Sequence, residues 1–155
     1  MQFPILTTKD LNGKNITLPD DFQHDLNLLF IGYLEWQQSE IDTWFPFATQ
    51  LETEHKNLYF YELPVVGKMN KFGQIQLNYW MRQGIPNPET RGRTLTYYID
   101  RAAFRQSLEL KTEDHIGILL VDRAGHVLWK GYNGYSETNA QSLAAAVTKW
   151  QQENG

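Results

Sequence analysis

Apolar and polar positions divide the chain into short strands and helices that alternate. Asn12-Gly13 predicts a two-residue hairpin turn, since both residues accept positive φ, and Ile16 and Leu18 alternate after it. Residues 26–34 are almost continuously apolar, the pattern of a buried central strand. Ser39 then offers a helix N-cap, with Asp42 three residues on as an Asp form of the capping box. Ile41, Trp44, Phe45 and Ala48 recur at helical spacing, so a helix is predicted from about residue 40 to His55. Pro46 lies inside it and predicts a kink, because proline lacks the N–H and crowds the preceding turn.

Residues 58–63 predict a second strand, parallel to the first and halted by Pro64. Residues 68–82 predict a helix, weakened by Gly73, and residues 84–93 a loop, because Pro86, Pro88 and Gly92 fall there. A short strand follows at 95–99, and Asp100 is placed to cap a brief helix through Leu108. Residues 116–121 and 127–131 pair as a hairpin across the turn Asp122-Arg123-Ala124-Gly125. The last helix starts at Ser136 or Glu137, with Ala140, Leu143, Ala144, Val147 and Trp150 as its buried stripe. No repeat, low-complexity tract or linker interrupts this order, so residues 1–155 form one domain. Alternating strands and helices imply an α/β fold: a central mixed sheet flanked by helices, an N-terminal β-hairpin, and an antiparallel edge from the closing hairpin.

Composition narrows the functions this fold can serve. With 155 residues, 41% hydrophobic and 21% charged, the chain can bury a real core. Five Trp and eight Tyr serve that core first, or else an aromatic binding surface. A net charge of −4 argues against a phosphate-backbone binder, so no nucleic-acid partner is expected. Yet five of the six Arg lie between Arg82 and Arg105, opposed there only by Glu89 and Asp100. The chain has no Cys, which removes disulfides, thiolate metal sites and thiol nucleophiles. The first residues show no signal peptide, leaving a cytoplasmic location as the default, and no apolar run is long enough for a transmembrane segment.

The element order carries a resemblance. A central strand leading into a helix with an internal proline, closed later by β-β-α, resembles the thioredoxin-like superfamily over residues 11–150. The segment Leu11-Asn12-Gly13-Lys14-Asn15-Ile16-Thr17-Leu18 looks like the entry of its peroxiredoxin branch, and Ile118-Leu119-Leu120-Val121-Asp122-Arg123-Ala124-Gly125-His126-Val127-Leu128-Trp129 like that branch's strand-turn-strand close. Over residues 86–143 the chain resembles the mitochondrial ATP synthase assembly factor family, through Pro86, Arg93, Tyr97 or Tyr98, Leu120-Val121-Asp122, Gly125, Trp129, Gly131 and Gly134. The resemblance implies a redox Cys at the strand-to-helix junction. That stretch reads Glu35-Trp36-Gln37-Gln38-Ser39-Glu40-Ile41, and no register places sulfur in it. The position of the cis-proline of thioredoxins falls near Ile116, and there is no Pro. The resemblance therefore implies the fold and not its usual chemistry.

Two places remain as candidate binding sites. At the strand-to-helix junction, Tyr33, Trp36, Gln37 and Gln38 stand at a helix N-terminus, where free N–H groups attract carboxylates and peptide carbonyls. The resemblance places His115 and Ile116 at the same end of the sheet. In the Arg-rich loop, Arg91 and Arg93 match carboxylate or phosphate geometry, and they extend the first surface if the loop folds over it. The bland alternatives are a plain helix start capped by Ser39 and a loop whose arginines pair with Glu89 and Asp100. Arg101 and Arg105 are read as an exposed helix face. His24, His55, His115 and His126 show no metal-ligand spacing, so neither a metal nor another cofactor is expected. Ser39 and His115 lack a GxSxG elbow, and residues 125–134 cannot form a phosphate loop. No catalytic residue is assigned. The leading expectation is a redox-inactive thioredoxin-like module that binds a protein or peptide, or acts as an assembly factor. The alternative is an enzyme or sensor that holds a small anionic ligand without thiol chemistry.

Overall fold

A computed structural model describes residues 1–154. Its four-stranded sheet has the order β4-β3-β5-β6, where β3 is Leu26–Gly32, β4 Leu58–Pro64, β5 Gly117–Asp122 and β6 Val127–Tyr132. β3 and β4 are parallel, in register from Leu26↔Leu58 to Gly32↔Pro64, as the sequence predicts. β5 runs antiparallel to both β3 and β6, so the sheet is mixed. β1 (Leu6–Lys9) and β2 (Asn15–Leu18) form a separate antiparallel hairpin. The helices are α1 (Gln38–Glu54), α2 (Lys71–Gly84), α3 (Pro88–Arg93), α4 (Arg101–Ser107) and α5 (Glu137–Asn154). This is an α/β thioredoxin-like fold.

The two-residue period of the strands sorts the core into two layers. Leu26, Leu28 and Phe30 of β3 join Ile118 and Leu120 of β5 on one face, beneath Ile41, Trp44, Ala48 and Leu51 of α1 and Ala140, Leu143 and Val147 of α5. Leu29 and Ile31 face the other way, toward Phe3, Leu95, Tyr97 and Phe104. In β4, Leu58 and Phe60 belong to the first layer and Tyr61 and Leu63 to the second. The next position in the first row is Glu62, so a carboxyl group continues a line of apolar side chains.

Several local expectations give way to specific contacts. The first hairpin does not close with a two-residue turn. Lys9 pairs with Asn15, leaving a five-residue loop in which the Asp10 carboxylate accepts from Asn12 N at 2.9 Å and Lys14 N at 3.0 Å, while Gly13 takes φ +86°. Residues 84–93 are not all loop. Asn87 caps α3 by accepting from Glu89 N, and Pro88 occupies the first turn, where its missing N–H costs nothing. The predicted strand at 95–99 is reduced to isolated bridges, with Leu95 N donating to Glu62 O and Tyr97 N to Pro64 O along the outer edge of β4. Asp100 does cap α4, accepting from Ala103 N at 2.8 Å.

The start of α1 differs most. Ser39 is not its cap; its hydroxyl donates to Trp36 O, and the helix begins at Gln38 after a single 3-10 turn at Glu35–Gln37. The helix continues through Pro46 to Glu54. No residue of α2 is fully buried. Leu77, Trp80 and Met81 line a cleft against the body of the domain, and Trp80, like Phe72, Ile75 and Tyr79, is largely exposed to solvent.

Candidate ligand-binding site

The strand-to-helix junction and the segment before β5 do converge. The Trp36 ring meets the His115 ring edge-on, with centroids 6.0 Å apart. Gln37 Nε2 donates to Glu113 O at 2.7 Å, and its Oε1 accepts from Tyr33 N at 2.7 Å and Leu34 N at 3.2 Å. Gln37 is fully buried by these bonds. Glu40 seals the same side: its carboxylate accepts from Ile116 N at 3.2 Å and Gly134 N at 3.1 Å, and it pairs with His115 Nδ1 at 3.0 Å.

Of the eight residues proposed as a binding surface, three are buried and two are engaged by other groups. Gln37 and Ile116 are buried, because one ties loops together and the other packs into the core. Arg91 turns inward, donating from Nε to Ile85 O at 2.5 Å and from Nη2 to Arg82 O at 2.9 Å. Arg93 is held by Glu52 and Glu89. The loop does not fold over the junction with free guanidinium groups. Arg101 and Arg105 likewise turn to a carboxylate, that of Glu113. Tyr33 is also buried; burial pushes its phenol well above the usual range, and its hydroxyl has no partner. Trp36, Gln38 and His115 remain exposed. Ser39 and His115 do not form a nucleophile–base pair, since each has a different partner.

The open side lies opposite, toward β4. A cleft of about 950 Å³ runs between the start of α1, the end of β4 and the end of α2. This is the size of a ligand site, and it lies beyond the carboxyl ends of the parallel pair β3 and β4. Phe45, Trp80 and Ile85 give it apolar walls. Gln38 and Tyr33 are the two proposed site residues that line it. Its charged groups are Glu35, Asp42 and Glu62, and no Lys, Arg or His lines it.

Glu62 is the distinctive group. It is only 6% exposed, and its Oε1 accepts from Gln38 Nε2 at 2.7 Å. The same Nε2 lies 3.0 Å from Asp42 Oδ1. Burial raises the Glu62 carboxyl above its ordinary value; the Gln38 hydrogen bond opposes this and the Asp42 charge adds to it. Folding therefore binds a proton at Glu62 more tightly than the unfolded chain does. Its contribution to stability is full below the unfolded value near 4.5 and is lost as pH rises through the higher folded value. Replacing Glu62 by Gln should remove that loss. In urea titrations at a series of pH values, Glu62→Gln should gain on the wild type as pH rises above about 4.5, whereas parallel stability curves would contradict the assignment.

Glu62 and Trp80 have no part in the sequence-based site, and Asp42 enters the sequence reading only as a capping-box residue. The one available signal was a carboxylate interrupting the apolar strand Leu58-Tyr59-Phe60-Tyr61-Glu62-Leu63. Among the described residues, no group of three or more His, Cys, Asp or Glu could hold a metal ion, and no helix is long and apolar enough to cross a membrane.

No protein-family model and no curated protein matches the chain. Solved structures do. A thioredoxin-like protein from Porphyromonas gingivalis is 13% identical with a TM-score of 0.64, covering 99% of this chain and 94% of its own. BsSco, a member of the Sco family of cytochrome c oxidase assembly proteins, is 16% identical with a TM-score of 0.63, covering 95% and 94%. A thiol:disulfide interchange protein DsbE from Chlorobium tepidum is 15% identical with a TM-score of 0.58, covering 96% and 94%. These likenesses establish the thioredoxin-like fold. The absence of Cys makes this chain incapable of the thiol–disulfide exchange associated with that fold.

Proposed function

We propose that the chain is a redox-inactive binding module with an assembly-factor role, and that it engages a protein or peptide through the cleft beside α1. The observation that carries this reading is the cleft itself: about 950 Å³ of apolar-walled space with a buried carboxyl group, in a chain without sulfur. Two likenesses favour assembly over turnover. One structural neighbour belongs to a family of oxidase assembly proteins, and residues 86–143 resemble the ATP synthase assembly factors. An enzyme or sensor for a small anionic ligand finds less support, because Arg91 and Arg93 are engaged elsewhere and the cleft carries carboxylates.

Capture from native extract on immobilised protein, read by mass spectrometry, tests the reading. Gln38 is exposed at the mouth of the cleft, so Gln38→Trp should obstruct it without opening the core. The wild type should retain a partner that Gln38→Trp loses by tenfold or more, about 1.4 kcal/mol. Equal retention by a variant with native circular dichroism would place the interaction elsewhere, and no retention above bare resin would remove the protein-binding reading.

A further inference from the structure

We infer that the cleft recognises an organic cation: an ammonium or guanidinium group carried on an apolar body. This rests on the reading of the cleft as a binding site, and names what it selects. Three observations converge on it. Every charged side chain lining the cleft is acidic, with Glu35 from the 3-10 turn before α1, Asp42 from α1 and Glu62 from β4. Glu62 is more than nine-tenths buried, and its Oε1 takes the Gln38 amide; no cation pairs with it among the described residues. Ionising a carboxyl in such a place is costly, and an arriving counter-charge relieves that cost as an alternative to the proton.

The walls supply the other half of the recognition. Trp80 offers an indole, the ring that attracts cations best, and Phe45 and Ile85 offer apolar contact. The carboxylates do not form a group that could hold a metal ion, which favours an organic cation over an inorganic one. The arginines that would compete for Glu62 from within the chain are already held, Arg93 by Glu52 and Glu89, and Arg91 by carbonyls. An anionic ligand would meet three like charges.

Titration of ¹⁵N-labelled protein with matched probes decides the matter. Phenethylammonium represents a free amine, and the capped tripeptide acetyl-Leu-Arg-Phe-amide a cationic side chain from a partner. Phenylacetate and the tripeptide with citrulline in place of arginine carry the same apolar bodies without the positive charge. At least one cationic probe should shift the amide signals around Gln38, Glu62 and Trp80, at concentrations where its uncharged or anionic counterpart does not. Tighter binding of the tripeptide would assign the cation to a partner chain, and tighter binding of the amine to a small molecule. Glu62→Gln should weaken the cation about tenfold, the scale of losing one charged hydrogen bond, and Asp42→Asn, at an exposed position, should weaken it in the same direction. Equal response to charged and uncharged probes, or no response to either cation up to millimolar concentration, would overturn the inference. Should the cations fail while extract capture still depends on Gln38, the cleft binds a partner by other chemistry; if capture fails as well, the binding reading falls with it.

Discussion

Replacing Arg93 by alanine should cost the fold about 2–4 kcal/mol, approaching the scale of breaking a buried ion pair from one side because this pair is part-buried. Arg93 closes α3 and reaches across the end of β4. Its Nη1 and Nη2 grip Glu52 at 2.5 and 3.0 Å, its Nε meets Glu89 at 2.6 Å, and Nη1 also donates to Phe60 O at 3.1 Å. The guanidinium plane lies 4.0 Å from the Tyr59 ring centroid and 4.2 Å from that of Phe60. The side chains of Arg93 and Glu52 are 13% and 19% exposed, so the pair is part-buried and screened less than a surface pair. Removing Arg93 would leave the Glu52 carboxylate with Phe60 N alone. Arg93→Lys should recover only part of the loss, since an ammonium cannot reproduce the fork or the stacking. A double change, Arg93→Met with Glu52→Leu, should cost less than Arg93→Ala, because no charge is then stranded. Urea unfolding measures all three. A loss below about 1 kcal/mol for Arg93→Ala would mean that the pair behaves as a surface ion pair.

Arg93 also shows what the chain's own pattern can and cannot reveal. Its pairing with Glu89, four residues away on one helix face, follows from local spacing. Its stronger partner, Glu52, lies forty-one residues back on α1 and is visible only once β4 places the two side by side. Asp100, the other expected partner, is spent on Ala103 N, a cap equally local in origin.

The same division runs through the whole fold. β3, β4 and the closing hairpin were legible as short apolar runs bounded by turn residues, and the α5 stripe because its burial repeats with the helical period. Helix α3 was not, because Pro88 and Gly92 each break helices in isolation, whereas Asn87 and Pro88 together make a helix start. The convergence of the junction with His115 and Ile116 was legible through the fold resemblance. Which side chains it leaves exposed was not. A 3-10 turn before α1 rotates Gln37 inward and Gln38 outward, and no periodicity governs a single irregular turn. Glu62 was hidden for a further reason: its burial depends on α1, whose first residue Gln38 covers it, and on a cleft wall from α2.

That inward turn makes Gln37 the second residue whose loss should be severe. Gln37→Ala should lower stability by about 2–4 kcal/mol, since three backbone groups lose their partner in a place where Gln37 has no exposed surface. Tyr33 N and Leu34 N would lose their acceptor, and Glu113 O its donor. The consequence reaches the cleft, because Gln37 fixes the first turn of α1 from which Gln38 holds Glu62 and Asp42. Gln37→Glu separates the two halves of its work. A carboxylate can still accept from Tyr33 N and Leu34 N, but it confronts the Glu113 carbonyl with a lone pair instead of an N–H. Stability should therefore fall in the order wild type, Gln37→Glu, Gln37→Ala at neutral pH. The gap between wild type and Gln37→Glu should narrow in acid, where the introduced carboxyl carries a proton it can donate to Glu113 O. Urea unfolding at neutral and acidic pH provides the measurement. Wild-type stability in Gln37→Ala would show that water replaces the amide and that the junction does not depend on this side chain.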